Sequence, residues 1–224
     1  PDDPLLKFKT RFSPWRIPFY TGGMVFDRET YNRLAHGRNI RFLSYRFPPM
    51  PDLRDEDVTL RLAEWADFPA FFRLKCDVDH VVWSGHTMPP LWDRLSAWYA
   101  NHLNGGTGRR IFIAECGGLS IGYAYLDDHG DRLEVTIGVA TSEAGRGIGR
   151  GILRLITRTL AKNKERRPVE AWIFQENLAS VKAFEAAGFV RNRDRRPQRF
   201  DMPLVGGPRQ QYCWAWRSDR AVKA

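Results

Sequence analysis

The stretch DRLEVTIGVATSEAGRGIGRG, residues 131 to 151, narrows the choice of fold more than any other part of the chain. It opens as an alternating strand, with Leu133, Val135, Ile137 and Val139 on one face and Glu134, Thr136 and Gly138 on the other. It passes through a loop carrying Gly145, Gly147, Gly149 and Gly151, and continues as an amphipathic helix from Ile148 to about Lys162. A loop of this kind is suited to holding an anion. Glycines let the backbone come close and turn its N–H groups inward, the helix start adds the positive end of its dipole, and Arg146 and Arg150 bring full charges.

Several motifs place a glycine-rich turn between a strand and a helix, and spacing separates them. A dinucleotide-binding G-x-G-x-x-G needs glycine at 150 or 152, where this chain has Arg150 and Ile152; a P-loop needs Gly-Lys-Ser/Thr, which does not follow. The residues upstream also disagree with a parallel βαβ unit. Arg110 to Glu115 and Leu119 to Tyr125 are joined by the tight turn Cys116-Gly117-Gly118, and a second turn around Gly130 leads into the strand at 133, so these strands form an antiparallel meander.

The run VATSEAGRGIG, followed further on by NLASVKAFEAAGF, resembles the two signature segments of the GNAT superfamily of N-acetyltransferases, in the right order and spacing. The likeness covers about residues 57 to 217. It implies an α+β, three-layer fold, with a mixed, mostly antiparallel twisted sheet flanked by helices. It also implies acetyl-CoA as cofactor and direct transfer to a primary amine. By the same resemblance, the pyrophosphate sits on Gly145, Arg146, Gly147, Ile148, Gly149 and Arg150. The pantetheine arm pairs like an extra strand with Ile137 and Val139, which requires the sheet to open there. Gly138 between them suits a bulge or a close backbone approach, or else it fits beneath a neighbouring side chain. Asn177 and Ser180 match positions that touch the cofactor; Asn177 also reads as a plain helix cap.

Two positions depart from the family pattern. Relatives carry Gln or Arg three residues before Gly147, where this chain has Ala144, and Arg146 or Arg150 is the expected substitute. Many relatives have a tyrosine in the second signature helix to protonate the CoA thiolate; the matching residue here is Phe184, which has no proton to give. Tyr212 and Ser180 are the remaining hydroxyl candidates for the acid. Glu134, on the face opposite the apolar stripe, is the candidate base, with a surface carboxylate paired to a cross-strand arginine as the alternative. The departures keep a second function open, a catalytically silent module that binds CoA or a partner.

VTLRLAE, from Val58, is a first strand, Asp67 and Pro69 open a helix to about Lys75, and a second helix runs from about Pro90 to Leu103. The loop before it holds His80, Trp83 and His86, and in relatives this region lines the acceptor pocket. Val169 to Phe174 is a strand, Asn177 starts a helix that Gly188 stops, RNRDRRPQRF (191–200) is a basic loop, and QYCWAW is a last strand. Residues 1–55 form an aromatic-rich extension that packs on the domain, on a second subunit as in a homodimer, or against the acceptor site; 56–218 form the catalytic domain and 219–224 a tail. Pro48, Pro49 and Pro51 mark the boundary.

Composition limits the partners. Lys and Arg number 35 against 26 Asp and Glu, a net charge of +9, which suits anionic ligands; with an amino sugar, an aminoglycoside-like molecule and a protein or peptide amine all open as acceptors, it favours a small molecule such as an amino sugar, phosphorylated or otherwise anionic, over a protein. The basic loop alone is a poor case for nucleic acid, so none is expected. Three cysteines far apart match no metal or disulfide framework. No apolar run approaches the length of a membrane span, and the opening PDDPLLKFKTRF lacks a signal-peptide core, so a cytoplasmic protein with no membrane partner and no metal is expected.

Overall fold

A computed structural model describes residues 57–103 and 108–218. The aromatic extension 1–55 and the tail 219–224 lie outside the described residues. Among the described residues eight strands form one sheet: β1 (Thr59–Leu62), β2 (Arg109–Cys116), β3 (Leu119–Asp128), β4 (Leu133–Val139), β5 (Val169–Phe174), β6 (Val190–Arg191), β7 (Gln198–Phe200) and β8 (Arg209–Trp216). Their order is β1-β2-β3-β4-β5-β8-β6, and β7 pairs with the same edge of β8 as β6. Every pairing is antiparallel except β4 with β5.

The helices are α1 (Phe68–Lys75), α2 (Val78–Trp83), α3 (Trp92–Leu103), α4 (Ile148–Lys162) and α5 (Leu178–Ala186). They cover both faces of the sheet. Alternation along β3 separates the two cores: Ala124 and Leu126 pack with Ile148, Ile152, Ile156 and Phe184, whereas Tyr123 and Tyr125 pack with Phe68, Phe71 and Tyr99. Because both faces are covered, β3 is buried almost without interruption from Ile121 to Asp127. The expected three-layer α+β architecture and the antiparallel meander are both present.

Most element limits match the sequence reading, including α4 and β5. Two differ. The loop expected to hold His80 and Trp83 is in fact the helix α2, begun by Asp77, whose carboxylate accepts hydrogen bonds from the Thr141 backbone and hydroxyl instead of capping its own helix. The basic stretch 191–200 is anchored at both ends, because Arg191 opposes Trp214 and Gln198 opposes Gln211 along β8. No helix among the described residues is long and apolar enough to cross a membrane.

Candidate active site

The site is made by a sheet that comes apart. Between β4 and β5 only Leu133↔Val169 and Glu134↔Glu170 are paired, although both strands continue well beyond. The main chain of β4 shows which groups are released. Ala140 N–H bonds Ile121 on the β3 side and Leu133 N–H bonds Pro168 on the β5 side, so the two-residue period turns the N–H and C=O of Val135, Ile137 and Val139 toward β5. Past Glu134, β5 no longer meets them. The result is an open strand edge inside the molecule, lining a cleft of about 810 Å³.

At one end of this cleft β4 runs into the glycine loop. Gly145 (φ +79°) and Gly147 (φ +81°) are both left-handed, and Gly147 is the N-cap of α4, so the backbone curls around the helix start. No Cβ at Gly145 would meet an atom within 4 Å, which leaves its outer side clear for a ligand. All the residues expected to hold the cofactor, Ile137, Gly138, Val139, Gly145 to Arg150, Asn177 and Ser180, line this single cleft. Asn177 caps α5 by accepting a hydrogen bond from Ser180 N–H at 3.1 Å. Arg146, however, is tied at 2.8 Å to Glu143, which is almost fully buried, so its charge is partly balanced. Lys182, one turn into α5, also lines the cleft and was not singled out from the sequence.

Gly138 has a different reason from a bulge. The register between β3 and β4 is unbroken from Leu133 to Val139. A Cβ at Gly138 would lie 2.0 Å from His80 Cε1 and 2.5 Å from Tyr123 Cε1, so the glycine makes room for two rings. His80 Nδ1 stands 3.1 Å from Tyr123 Oη, and His80 Nε2 stands 3.1 Å from the Val139 carbonyl oxygen. Lys75 Nζ lies 3.2 Å from the same Tyr123 oxygen. Burial holds His80 below the usual histidine value, and burial with the charge of Arg109 pushes Lys75 down to about 8.

The two candidate catalytic residues are not brought into the cleft. On β4 its lining begins at Val135, and Glu134 is itself the last residue paired with β5, its carboxylate 3.6 Å from His129. Burial raises its pKa. With Asp127 and His129 it forms a cluster whose ligating atoms lie within 4.8 Å of one another, but Arg109 already occupies Asp127 through two hydrogen bonds. Tyr212 follows Gln211, which lines the cleft; successive strand residues face opposite ways, and Tyr212 instead borders a separate hollow of about 270 Å³, under the Arg191 guanidinium at 3.7 Å. Phe184 lines the cleft where an acid was sought.

Comparison with known proteins agrees with this architecture. The sequence profile of the acetyltransferase (GNAT) domain matches residues 57–190. No curated protein matches the chain by sequence. Among solved structures, spermidine N-acetyltransferase from Vibrio cholerae, in complex with CoA and spermine, superimposes with a TM-score of 0.65 at 17% identity, covering 75% of this chain and 99% of that one. The aminoglycoside acetyltransferase AAC(6′)-Ib, in complex with coenzyme A, gives 0.58 at 20% identity, with 75% and 99% covered. Ribosomal-protein-alanine N-acetyltransferase from Brucella melitensis gives 0.58 at 21%, with 71% and 99% covered. With the domain profile spanning more than half of its length and its fold shared with these enzymes, the chain belongs to the GNAT family of acetyl-CoA-dependent N-acetyltransferases.

Proposed function

We propose that this protein transfers an acetyl group from acetyl-CoA to the primary amine of a small, positively charged molecule. The observation that carries the reading is the unpaired edge of β4 ending in the glycine loop at the start of α4. The Ile137 N–H and C=O and the Val139 N–H offer a pantetheine arm hydrogen bonds that β5 does not make, while the Val139 carbonyl is held by His80. The loop N–H groups, the α4 dipole, Arg150 and Lys182 suit a pyrophosphate. Losing the Gln or Arg at Ala144 removes a charge-assisted hydrogen bond of roughly 1.5–3 kcal/mol, and Lys182 is the nearest substitute in kind.

The acceptor reading comes from the other wall. The cations of the cleft belong to the loop, α4 and α5, whereas α2 contributes Asp79, His80 and Trp83, and Ser84 follows at its end. A carboxylate beside an indole favours a cation, through charge and the ring face. This replaces the tilt toward an anionic acceptor, which rested on net charge alone. Spermine and aminoglycosides, bound or modified by the structural neighbours, are amines of that kind. Acetyl-CoA supplies the activated acyl group; the chain's part is to place the amine, exclude water and manage protons. An alkylamine of pKa about 10.4 is some 3.4 units from neutrality at pH 7, a cost of roughly 4.6 kcal/mol that a partly enclosed cleft reduces.

The test has two arms. Saturating CoA should raise the thermal midpoint, by the equivalent of about 2.7 kcal/mol at a hundredfold excess over Kd, and Gly147→Asp should abolish that gain by filling the anion seat with a side chain of like charge. Thiol release from acetyl-CoA should then appear with at least one of spermidine, spermine and ribostamycin. CoA binding with no turnover on any amine would favour the silent module, a reading that Phe184 in the cleft wall keeps specific; no binding at all would end both.

A further inference from the structure

Proton supply is the function left without a residue. Where an acid was sought, the cleft presents Phe184, and Tyr212 faces away. The same cleft wall holds a chain of hydrogen bonds that the reaction as described so far does not use. Its direction follows from valence. The Val139 carbonyl can only accept, so His80 Nε2 must carry the proton and donate to it at 3.1 Å. His80 Nδ1 is then a bare acceptor, and the Tyr123 hydroxyl donates to it at 3.1 Å. Tyr123 oxygen accepts in turn from the Lys75 ammonium at 3.2 Å. The three links therefore run one way, from Lys75 through Tyr123 and His80 to the open edge of β4.

Accepting the acetyl-transfer reading above, on which this rests, we propose that His80 Nε2–H is the proton donor to the departing CoA thiolate, and that Tyr123 and Lys75 are the positioning residues that hold its tautomer and resupply it. The acceptor nitrogen forms its bond to the acetyl carbon and sheds one proton to water; as the carbon–sulfur bond breaks, its electron pair stays on sulfur, which takes the Nε2 proton. Nδ1 takes the Tyr123 proton and the Tyr123 oxygen takes one from Lys75, leaving a thiol and a neutral lysine. When the products leave, one proton enters from water at Nε2 and the relay runs backward, restoring the Lys75 ammonium. Nothing is oxidised or reduced.

The surroundings fit this use. Lys75 lies over the rings of Tyr123 (5.3 Å) and Tyr125 (5.9 Å), with Arg109 from β2 as its cationic neighbour. His80 feels Lys75 from α1 and Asp77 and Asp79 from its own helix. A lysine at about 8 is close to a thiol at about 8.5, so the donor and the final acceptor are nearly matched. Buried as it is, the Tyr123 hydroxyl has its pKa raised, which makes it a poor terminal acid and a suitable bridge.

CoA itself is the probe, titrated on the enzyme by its thiolate absorbance. If the Nε2–H turns from the Val139 carbonyl to sulfur it stabilises the thiolate, so bound CoA should titrate below free CoA in the wild type. His80→Ala should return it to the free value, and His80→Asn, which keeps an N–H donor, should recover part of the shift. The kinetic arm uses acetyl-CoA with whichever panel amine turns over. His80→Asn, Tyr123→Phe and Lys75→Met should each lower kcat by about 10²-fold, the low end for acid catalysis, with KM for acetyl-CoA little changed. The relay needs a protonated lysine, so wild-type kcat should fall as pH rises through about 8 and Lys75→Met should lose that fall. Bound CoA that titrates alike in the wild type and His80→Ala, or a Lys75→Met profile with the wild-type fall intact, overturns the relay. Failure of CoA to bind the wild type would instead overturn the acetyl-transfer reading.

Discussion

Gly138 and Glu134 show how differently one strand can treat neighbouring positions. Both lie on the face of β4 opposite its apolar stripe. Gly138 sits where His80 and Tyr123 crowd the strand, and only a residue without Cβ leaves them room. Glu134 sits at the last paired position, away from the cleft, with its side chain 27% exposed. Its pKa is raised by burial first, against the opposing charge of His129. A carboxyl whose folded value exceeds its unfolded value binds more protons in the folded state between the two, so stability is lost as pH rises across that window. Glu134→Gln should therefore stabilise the protein at pH 7 and make no difference below about pH 4, as read from denaturation midpoints. Acetyl transfer should continue in this variant; a large loss of kcat below pH 8 would restore Glu134 as the base.

At the scale of elements, the cleft exists because two strands separate and one helix closes the far side. The helix is α5, and its start depends on Asn177, whose side chain accepts from Ser180 N–H. Asn177→Ala should cost about 1 kcal/mol of stability, a typical cap value, measured by chemical denaturation. Because the same side chain lines the cleft, CoA affinity should weaken as well, and a normal affinity would confine Asn177 to capping. The hairpin between β2 and β3 was legible from Gly117-Gly118, since both have positive φ and a two-residue connection needs that. The helix α2 was not. Its six residues are too few for periodicity to show, and Asp77 spends its carboxylate on Thr141 rather than on the helix start that would have signalled a cap.

For the molecule as a whole, the described residues form two buried clusters, drawn from residues between Val58 and Trp216. A chain beginning at Pro51 is expected to unfold in one cooperative transition and to keep its stabilisation by CoA; failure to fold would show that residues 1–50 supply part of the core. The sequence by itself determined the glycine loop, the meander, the family and most of the residues that line the large cleft, because each is written in local signals: glycine spacing, alternation and caps. Only the tertiary structure decided where protons can move. Lys75, His80, Tyr123 and Val139 come from α1, α2, β3 and β4, and nothing in the order of the chain announces that a histidine will lie over a glycine 58 positions away. Tyr212 likewise lost its place to the pleat, which turned Gln211 inward and left the tyrosine on the other side. Side-chain direction across a sheet depends on register, and register is set by packing between distant segments.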